Sequence, residues 1–177
     1  LNLNIVSWTF LAFGLILAAS PMHFIKLINN AAATVGPIIL QYPFYSGIMG
    51  MMATTGLMKV ITDWIISIST PETLGFFAFL SGGLVNMFIP SGGGQWAVQG
   101  PIMIEAALSL NVNPSVVVLG VAYGDQWSNM IQPFWTIPIL AIAGLHMRQI
   151  LGYTFVIFIM TGFLYGGGML YMGSGNI

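Results

Sequence analysis

The sequence predicts an all-α integral membrane protein, a polytopic helical bundle. Three observations carry that prediction. Lys and Arg number 3 and Asp and Glu 4 among 177 residues, while 57% of the chain is apolar. A soluble domain of this length carries roughly a quarter charged residues, and so few charges cannot cover a water-facing surface. Apolar runs near the membrane-crossing length of about 20 residues recur along the chain. Two of those runs are interrupted by Gly, Pro and amide side chains, which marks broken helices. The same counts exclude other classes. Three cations (Lys26, Lys59 and Arg148) cannot neutralise a phosphate backbone, so nucleic acid is no partner. With no Cys there is no disulfide framework and no thiolate metal site. No cofactor or resident metal is expected.

The elements follow in order. Residues 5–22 form a first span, closed by Pro21 with His23 and Lys26 beyond it. No positively charged leader with a cleavage site precedes this run, so it reads as a span and not a signal peptide. Beginning at Leu1, the chain reads as a portion of a longer membrane protein. Residues 24–35, which hold Asn29 and Asn30, read as a connector or interfacial helix. Residues 36–58 are long enough to cross, with a kink expected at Pro43. Residues 59–70 place apolar side chains at helical spacing, the pattern of an amphipathic arm.

Residues 72–110 predict a re-entrant hairpin. Two short apolar arms flank Pro90-Ser91-Gly92-Gly93-Gly94-Gln95, and three glycines after a proline and a serine oppose a continuous helix. Residues 115–145 are too long for one straight span, and polar side chains crowd residues 124–133. A discontinuous transmembrane helix is expected there, since irregular backbone at that depth survives only against protein or a water-filled cavity. Residues 150–172 make the last span. The positive-inside rule places Lys26 and Arg148 on one side and Lys59 on the other.

The two breaks are where chemistry is possible. Secondary transporters build substrate and ion sites near the midplane from interrupted helices. A half-helix N-terminus presents unpaired N–H groups and a positive dipole end, which suit a carboxylate. The expected substrate-binding residues are Ser91, Gly92, Gly93, Gly94 and Gln95 at the first break. Gly124, Gln126, Asn129 and Gln132 join them from the second. Asn86, Pro90 and Asp125 are the expected contacts of a coupling ion. Neither break carries Lys or Arg, so a bound carboxylate would keep uncompensated charge, at a cost that co-bound Na⁺ or a proton relieves. Phe88, Trp96, Trp127 and Phe134 suit a short hydrocarbon tail. Competing structural readings exist: Asp125 as a helix cap, Asn129 and Gln132 as partners of backbone groups freed by Pro133. His23 and His146 sit at span ends and read as interface residues. Ser91 as a hydrolase nucleophile would need a general base within reach, and no His stands at either break, so no enzyme is expected.

Asn86-Met87-Phe88-Ile89-Pro90-Ser91-Gly92-Gly93-Gly94-Gln95-Trp96-Ala97-Val98-Gln99-Gly100-Pro101 resembles the signature of the short-chain fatty acid transporter family, bacterial permeases associated with uptake of acetoacetate and butyrate. Ala122-Tyr123-Gly124-Asp125-Gln126-Trp127-Ser128-Asn129-Met130-Ile131-Gln132-Pro133-Phe134-Trp135 resembles the family's second block, and Leu40-Gln41-Tyr42-Pro43-Phe44-Tyr45-Ser46-Gly47-Ile48 a third. The resemblance runs through all 177 residues. It implies one half of an inverted-repeat transporter of the wider ion-transporter superfamily, multi-pass in the bacterial inner membrane and elevator-like in mechanism. The implied activity is secondary active uptake of short-chain monocarboxylates with Na⁺ or H⁺ as symported cation. The implied partners are the lipid bilayer, a small carboxylate substrate, the missing N-terminal half of the same protein and a possible homodimer. Where the family often has His, this sequence has Gln95, which bonds but cannot titrate. The alternative is an ion-coupled transporter of another small organic anion such as a dicarboxylate.

Overall fold

Caps and prolines set the helix boundaries. The computed structural model describes residues 2–173, and every regular element among them is an α-helix. The first, α1, spans Leu3–Leu17 and is opened by Asn2, whose side chain accepts the Ile5 N–H at 2.9 Å. Next, α2 spans Pro21–Thr54, with Ser20 Oγ accepting the His23 N–H at 3.1 Å. Then α3 (Leu57–Ser67) follows Gly56, whose φ of 74° suits glycine. The rest are α4 (Leu74–Asn86), α5 (Gly92–Ser109), α6 (Pro114–Ser128), α7 (Pro133–Ala143) and α8 (Met147–Gly173). Proline opens α2, α6 and α7, a position where its missing N–H has no helical partner to lose.

Several boundaries depart from the sequence expectation. Gly92, Gly93 and Gly94, expected to interrupt the helix, form the first turn of α5, because the Ser91 side chain caps a helix that starts there. The structure ends α1 at Leu17 and uses Pro21 to begin α2, because Ser20 followed by Pro21 is a capped helix start. The connector expected over residues 24–35 is continuous with the span expected over 36–58, and helix runs on through Pro43. The 34 residues of α2 measure about 51 Å at 1.5 Å each. That exceeds a bilayer core of about 30 Å and leaves room for the polar turns around Lys26, Asn29 and Asn30 beyond it.

Among the described residues one helix, α8, is long and apolar enough to cross a membrane by itself. By contrast α1, α4 and α7 are apolar but hold only 15, 13 and 11 residues. Large apolar side chains of α1, α2 and α8 stand uncovered, Trp8, Phe10, Ile39 and Phe163 among them. Water would penalise such faces and lipid accepts them, so the helical architecture fits a membrane protein.

The densest packing joins α4 to α6. A Cβ on Gly82 would lie 2.7 Å from the Val121 carbonyl, one on Gly120 2.7 Å from the Gly75 carbonyl, and one on Gly124 would collide with the Phe79 carbonyl. Small residues let two backbones approach this closely where no water drives association. Met103, Ala106 and Ala107 of α5 close a core with Leu74, Ala78, Val117 and Val121. Helix α8 is held to α6 through Trp127, whose indole N–H donates to the Phe158 carbonyl at 2.7 Å while its ring stacks on Phe158 at 4.1 Å. The buried face of α3 is Met58, Thr62 and Ile65, one stripe at helical spacing. Its outer face carries Lys59 paired with Asp63 at 2.8 Å, and that carboxylate raises the pKa of the ammonium.

Candidate functional site

The chain leaves helix twice at polar sequence: residues 87–91 separate α4 from α5, and residues 129–132 separate α6 from α7. One side chain joins the two breaks. Asn86, at the end of α4, is fully buried. Its Nδ2 lies 3.0 Å from the Asp125 carbonyl, 2.8 Å from Ser128 Oγ and 2.8 Å from Asn129 Oδ1. The C-terminal ends of α4 and α6 are therefore tied by an amide whose own Oδ1 has no hydrogen-bond partner.

The N-terminal ends of α5 and α7 are built by capping. Ser91 Oγ accepts the Gly94 N–H at 3.3 Å, and the helix proper starts at Gly92. Gln132 is buried, and its Oε1 accepts the Phe134 N–H at 2.6 Å while its Nε2 makes a long contact of 3.5 Å with the Asn86 carbonyl. Gln41 of α2 supplies a third support by donating to the Phe134 carbonyl at 3.2 Å. That carbonyl lacks its helical donor because Pro138, four residues on, has no N–H.

A cavity of about 300 Å³ lies where these ends meet α2. Pro90, Ser91 and Gly92 line it from the first break, Phe134 and Trp135 from the start of α7, and Tyr42, Tyr45, Ser46 and Met49 from α2. Tyr42 and Tyr45 pack edge-on against Phe134, with ring centroids 5.3 and 4.9 Å away. No charged side chain lines this space. Its polar resources are hydroxyls on Ser46 and Ser91, the phenols of Tyr42 and Tyr45, and the N–H groups of a first helical turn, which no helix satisfies internally. Positive dipole ends facing an aromatic wall suit a small carboxylate with a short apolar tail.

A second cavity of about 420 Å³ lies on the other side of Gly92, between α5 and α6. Gly92, Gln95 and Trp96 line it from α5, and Val118, Val121, Ala122, Asp125 and Gln126 from α6. Gln95 is 1% exposed. Its Nε2 donates to the Gly82 carbonyl and to Gln99 Oε1, both at 2.9 Å, and Gln99 Nε2 donates to Ser81 Oγ at 2.9 Å. Gln95 Oε1 and Asp125 Oδ1 are buried and have no partner. An unpaired buried acceptor costs about 1–3 kcal/mol.

The residues named from sequence divide among these features. Pro90, Ser91 and Gly92 meet at the first cavity, and Gln95, Asp125 and Gln126 share the second with Gly92. Asn86, Asn129 and Gln132 form the ties between breaks. Gly93 is exposed with nothing within 4 Å of a Cβ position, and Gly94 lies against Ser91 and Met49. Gly124 belongs to the α4–α6 crossing, inside a helix and not at its end. Phe88 and Trp127 stand away from the first cavity: Phe88 is exposed, and Trp127 is anchored to α8. The sequence reading did not single out Gln41, Tyr42, Tyr45, Ser46, Met49, Trp135, Ser81 or Gln99 for the site. The signal was present in part, since Tyr42, Tyr45, Ser46 and Met49 recur at helical spacing on one face. Among the described residues no cluster of His, Cys, Asp and Glu could hold a metal by itself.

The comparisons agree with one another. The family profile described as short chain fatty acid transporter matches residues 1–172. A protein of Escherichia coli (strain K12) is 41% identical over 165 residues, covering 93% of this chain and 38% of its own length. A protein of Haemophilus influenzae (strain ATCC 51907 / DSM 11121 / KW20 / Rd) is 38% identical over 172 residues, covering 97% of this chain and 38% of its own. Both carry the name "Putative short-chain fatty acid transporter". This chain therefore spans well under half the length of the curated relatives it matches. No solved structure matches it.

Proposed function

The chain belongs to the short-chain fatty acid transporter family, and from that premise we propose that it supplies the carboxylate-binding part of a secondary active transporter for short-chain monocarboxylates. One observation carries the reading: a cavity of about 300 Å³ has a capped helix start at Ser91–Gly92 on one side, the start of α7 at Phe134 and Trp135 on another, and Tyr42 and Tyr45 between them. A carboxylate head takes the N–H groups and the Ser91 hydroxyl, and an acyl tail of a few carbons lies on the aromatic rings. A second carboxylate would find no charged partner in that lining, which favours monocarboxylates over dicarboxylates.

The remaining features extend the proposal. The transporter lies in the bacterial inner membrane and works with a longer polypeptide whose other part completes the site. As a membrane feature, α4 and α5 form a re-entrant hairpin and α6 with α7 a discontinuous span, one half of an inverted repeat. Transport is coupled to Na⁺ or H⁺, because the first cavity holds no cation of its own to offset the substrate charge. The coupling ion sits near Asn86, Pro90 and Asp125, where Asn86 Oδ1 and Asp125 Oδ1 lack partners. An elevator-type movement carries the site, and a homodimer provides the fixed frame.

The test is labelled butyrate uptake by the full-length protein in proteoliposomes, under an imposed Na⁺ gradient and then under a pH gradient. Concentrative uptake under one of them that falls in Ser91→Ala supports the reading. No uptake under either gradient would remove the substrate assignment.

A further inference from the structure

The first turn of α5 has no side chains of its own with which to hold its N–H groups in place. Gly92, Gly93 and Gly94 make up that turn, and glycine is the weakest helix former after proline. The space around it is open: a Cβ on Gly93 would meet nothing within 4 Å, and one on Gly92 only Asp125 Oδ2 at 3.7 Å. Two N–H groups are tied within the segment, that of Gly94 to Ser91 Oγ at 3.3 Å and that of Gln95 to the Ser91 carbonyl at 2.7 Å. Those bonds shape the turn but do not aim it relative to α4.

Gln95 is the first side chain of the helix, and it is fully buried against α4. Its Nε2 donates to the Gly82 carbonyl and to Gln99 Oε1, both at 2.9 Å. One turn further on, Gln99 is also fully buried, and its Nε2 donates to Ser81 Oγ at 2.9 Å. Ser81 in turn donates to the Ala78 carbonyl at 2.9 Å. Two consecutive turns of α5 are therefore bonded to two adjacent residues of α4. Apolar contact is non-directional and would let one helix slide or turn on the other. Buried hydrogen bonds with their protons assigned allow one register and one rotation.

We propose that Ser81 and Gln99, acting through Gln95, are positioning residues for carboxylate binding: they set the angle and depth at which the glycine turn presents its N–H groups to the first cavity. The inference rests on the carboxylate reading for what the turn binds, but not for how the turn is held. It also accounts for the absence of Gln95 from the lining of the first cavity, since both of its amide protons are committed to the anchor.

The experiment compares the full-length protein with Gln99→Leu and Ser81→Ala. Hydrogen–deuterium exchange is read in lipid nanodiscs without ligand, and labelled butyrate uptake in proteoliposomes. In both variants exchange at the Gly94 and Gln95 amides is expected to quicken about fivefold, the worth of about one hydrogen bond. KM for butyrate is expected to rise about three- to fivefold, with maximal uptake per folded protein unchanged. Ser81→Thr keeps the hydroxyl and is expected to hold both readings within about twofold of the unaltered protein. Met103→Ala opens a cavity in the apolar core of the same helix and is expected to lower the thermal midpoint without moving KM. A merely structural role would make Gln99→Leu and Ser81→Ala behave like Met103→Ala. Unchanged exchange at Gly94 and Gln95 in both variants would overturn the proposal, and so would an unchanged KM. No uptake by the unaltered protein, with faster exchange in the variants, would remove the carboxylate reading and leave the anchoring of the turn standing.

Discussion

Two cavities share Gly92 and differ in almost everything else. The first is lined by helix starts, hydroxyls and aromatic rings and carries no charge, while the second is lined by Asp125, its one charged residue. The difference comes from which part of a broken helix each cavity meets. The first meets N-terminal ends, where N–H groups point outward. The second also touches the start of α5 at Gly92 but runs along the side of α6, where the Asp125 carboxylate supplies its charge. A single short segment, Pro90 to Gln95, therefore serves a space suited to anions on one side and a space suited to cations on the other. Opposite preferences a few residues apart are what coupled binding of an anion and a cation requires, since each ligand offsets the charge of the other.

The comparison can be broken at its foundation. Gly124→Leu drives a side chain into the Phe79 carbonyl across the α4–α6 crossing, which carries Gln95's partner Gly82 and the Asn86 tie. A loss of about 3 kcal/mol is expected from overpacking. A sharply lower thermal unfolding midpoint in detergent, with both Na⁺ and butyrate binding gone, is the outcome to look for. Ser91→Ala removes the cap of α5 and a hydroxyl of the first cavity, so butyrate binding is expected to fall about fivefold, the worth of about one hydrogen bond. Calorimetry with butyrate and ²²Na⁺ binding on the same variant check that only the first cavity responds. Gln41→Leu strips the Phe134 carbonyl of its donor and is expected to loosen the aromatic wall, raising KM for butyrate about two- to threefold. Transport kinetics read that change. Lys59→Met removes an exposed ion pair that lines neither cavity and is expected to leave uptake within experimental scatter.

Much of this arrangement is legible in the sequence because backbone chemistry is local. Pro90 followed by Ser91 announces a break, and Pro133 after Gln132 another, whatever surrounds them, although the three glycines read as part of the first break are the opening turn of α5. What escapes is whatever depends on distant pairing. Gly124 reads as part of a polar break, yet it is helical, and only the approach of Phe79 from α4 explains why no side chain is tolerated. Gln99 looks like one more amide in an apolar arm until Ser81, eighteen positions earlier, is seen to fix it. The aromatic wall from α2 lies more than forty residues from the break it faces. Pro21 misleads for a different reason, since a proline both ends one helix and opens the next, and the choice rests on the Ser20 cap.

The division of labour between the cavities is tested most directly by butyrate affinity as a function of Na⁺ concentration, in the unaltered full-length protein and in Asp125→Asn. The account predicts that Na⁺ tightens butyrate binding in the unaltered protein. Asp125→Asn should keep the low-Na⁺ affinity for butyrate at every Na⁺ concentration, because the carboxylate site is intact and the linkage between sites is cut. An Asp125→Asn protein that answers Na⁺ as the unaltered protein does, or that folds normally and no longer binds butyrate at all, would contradict it.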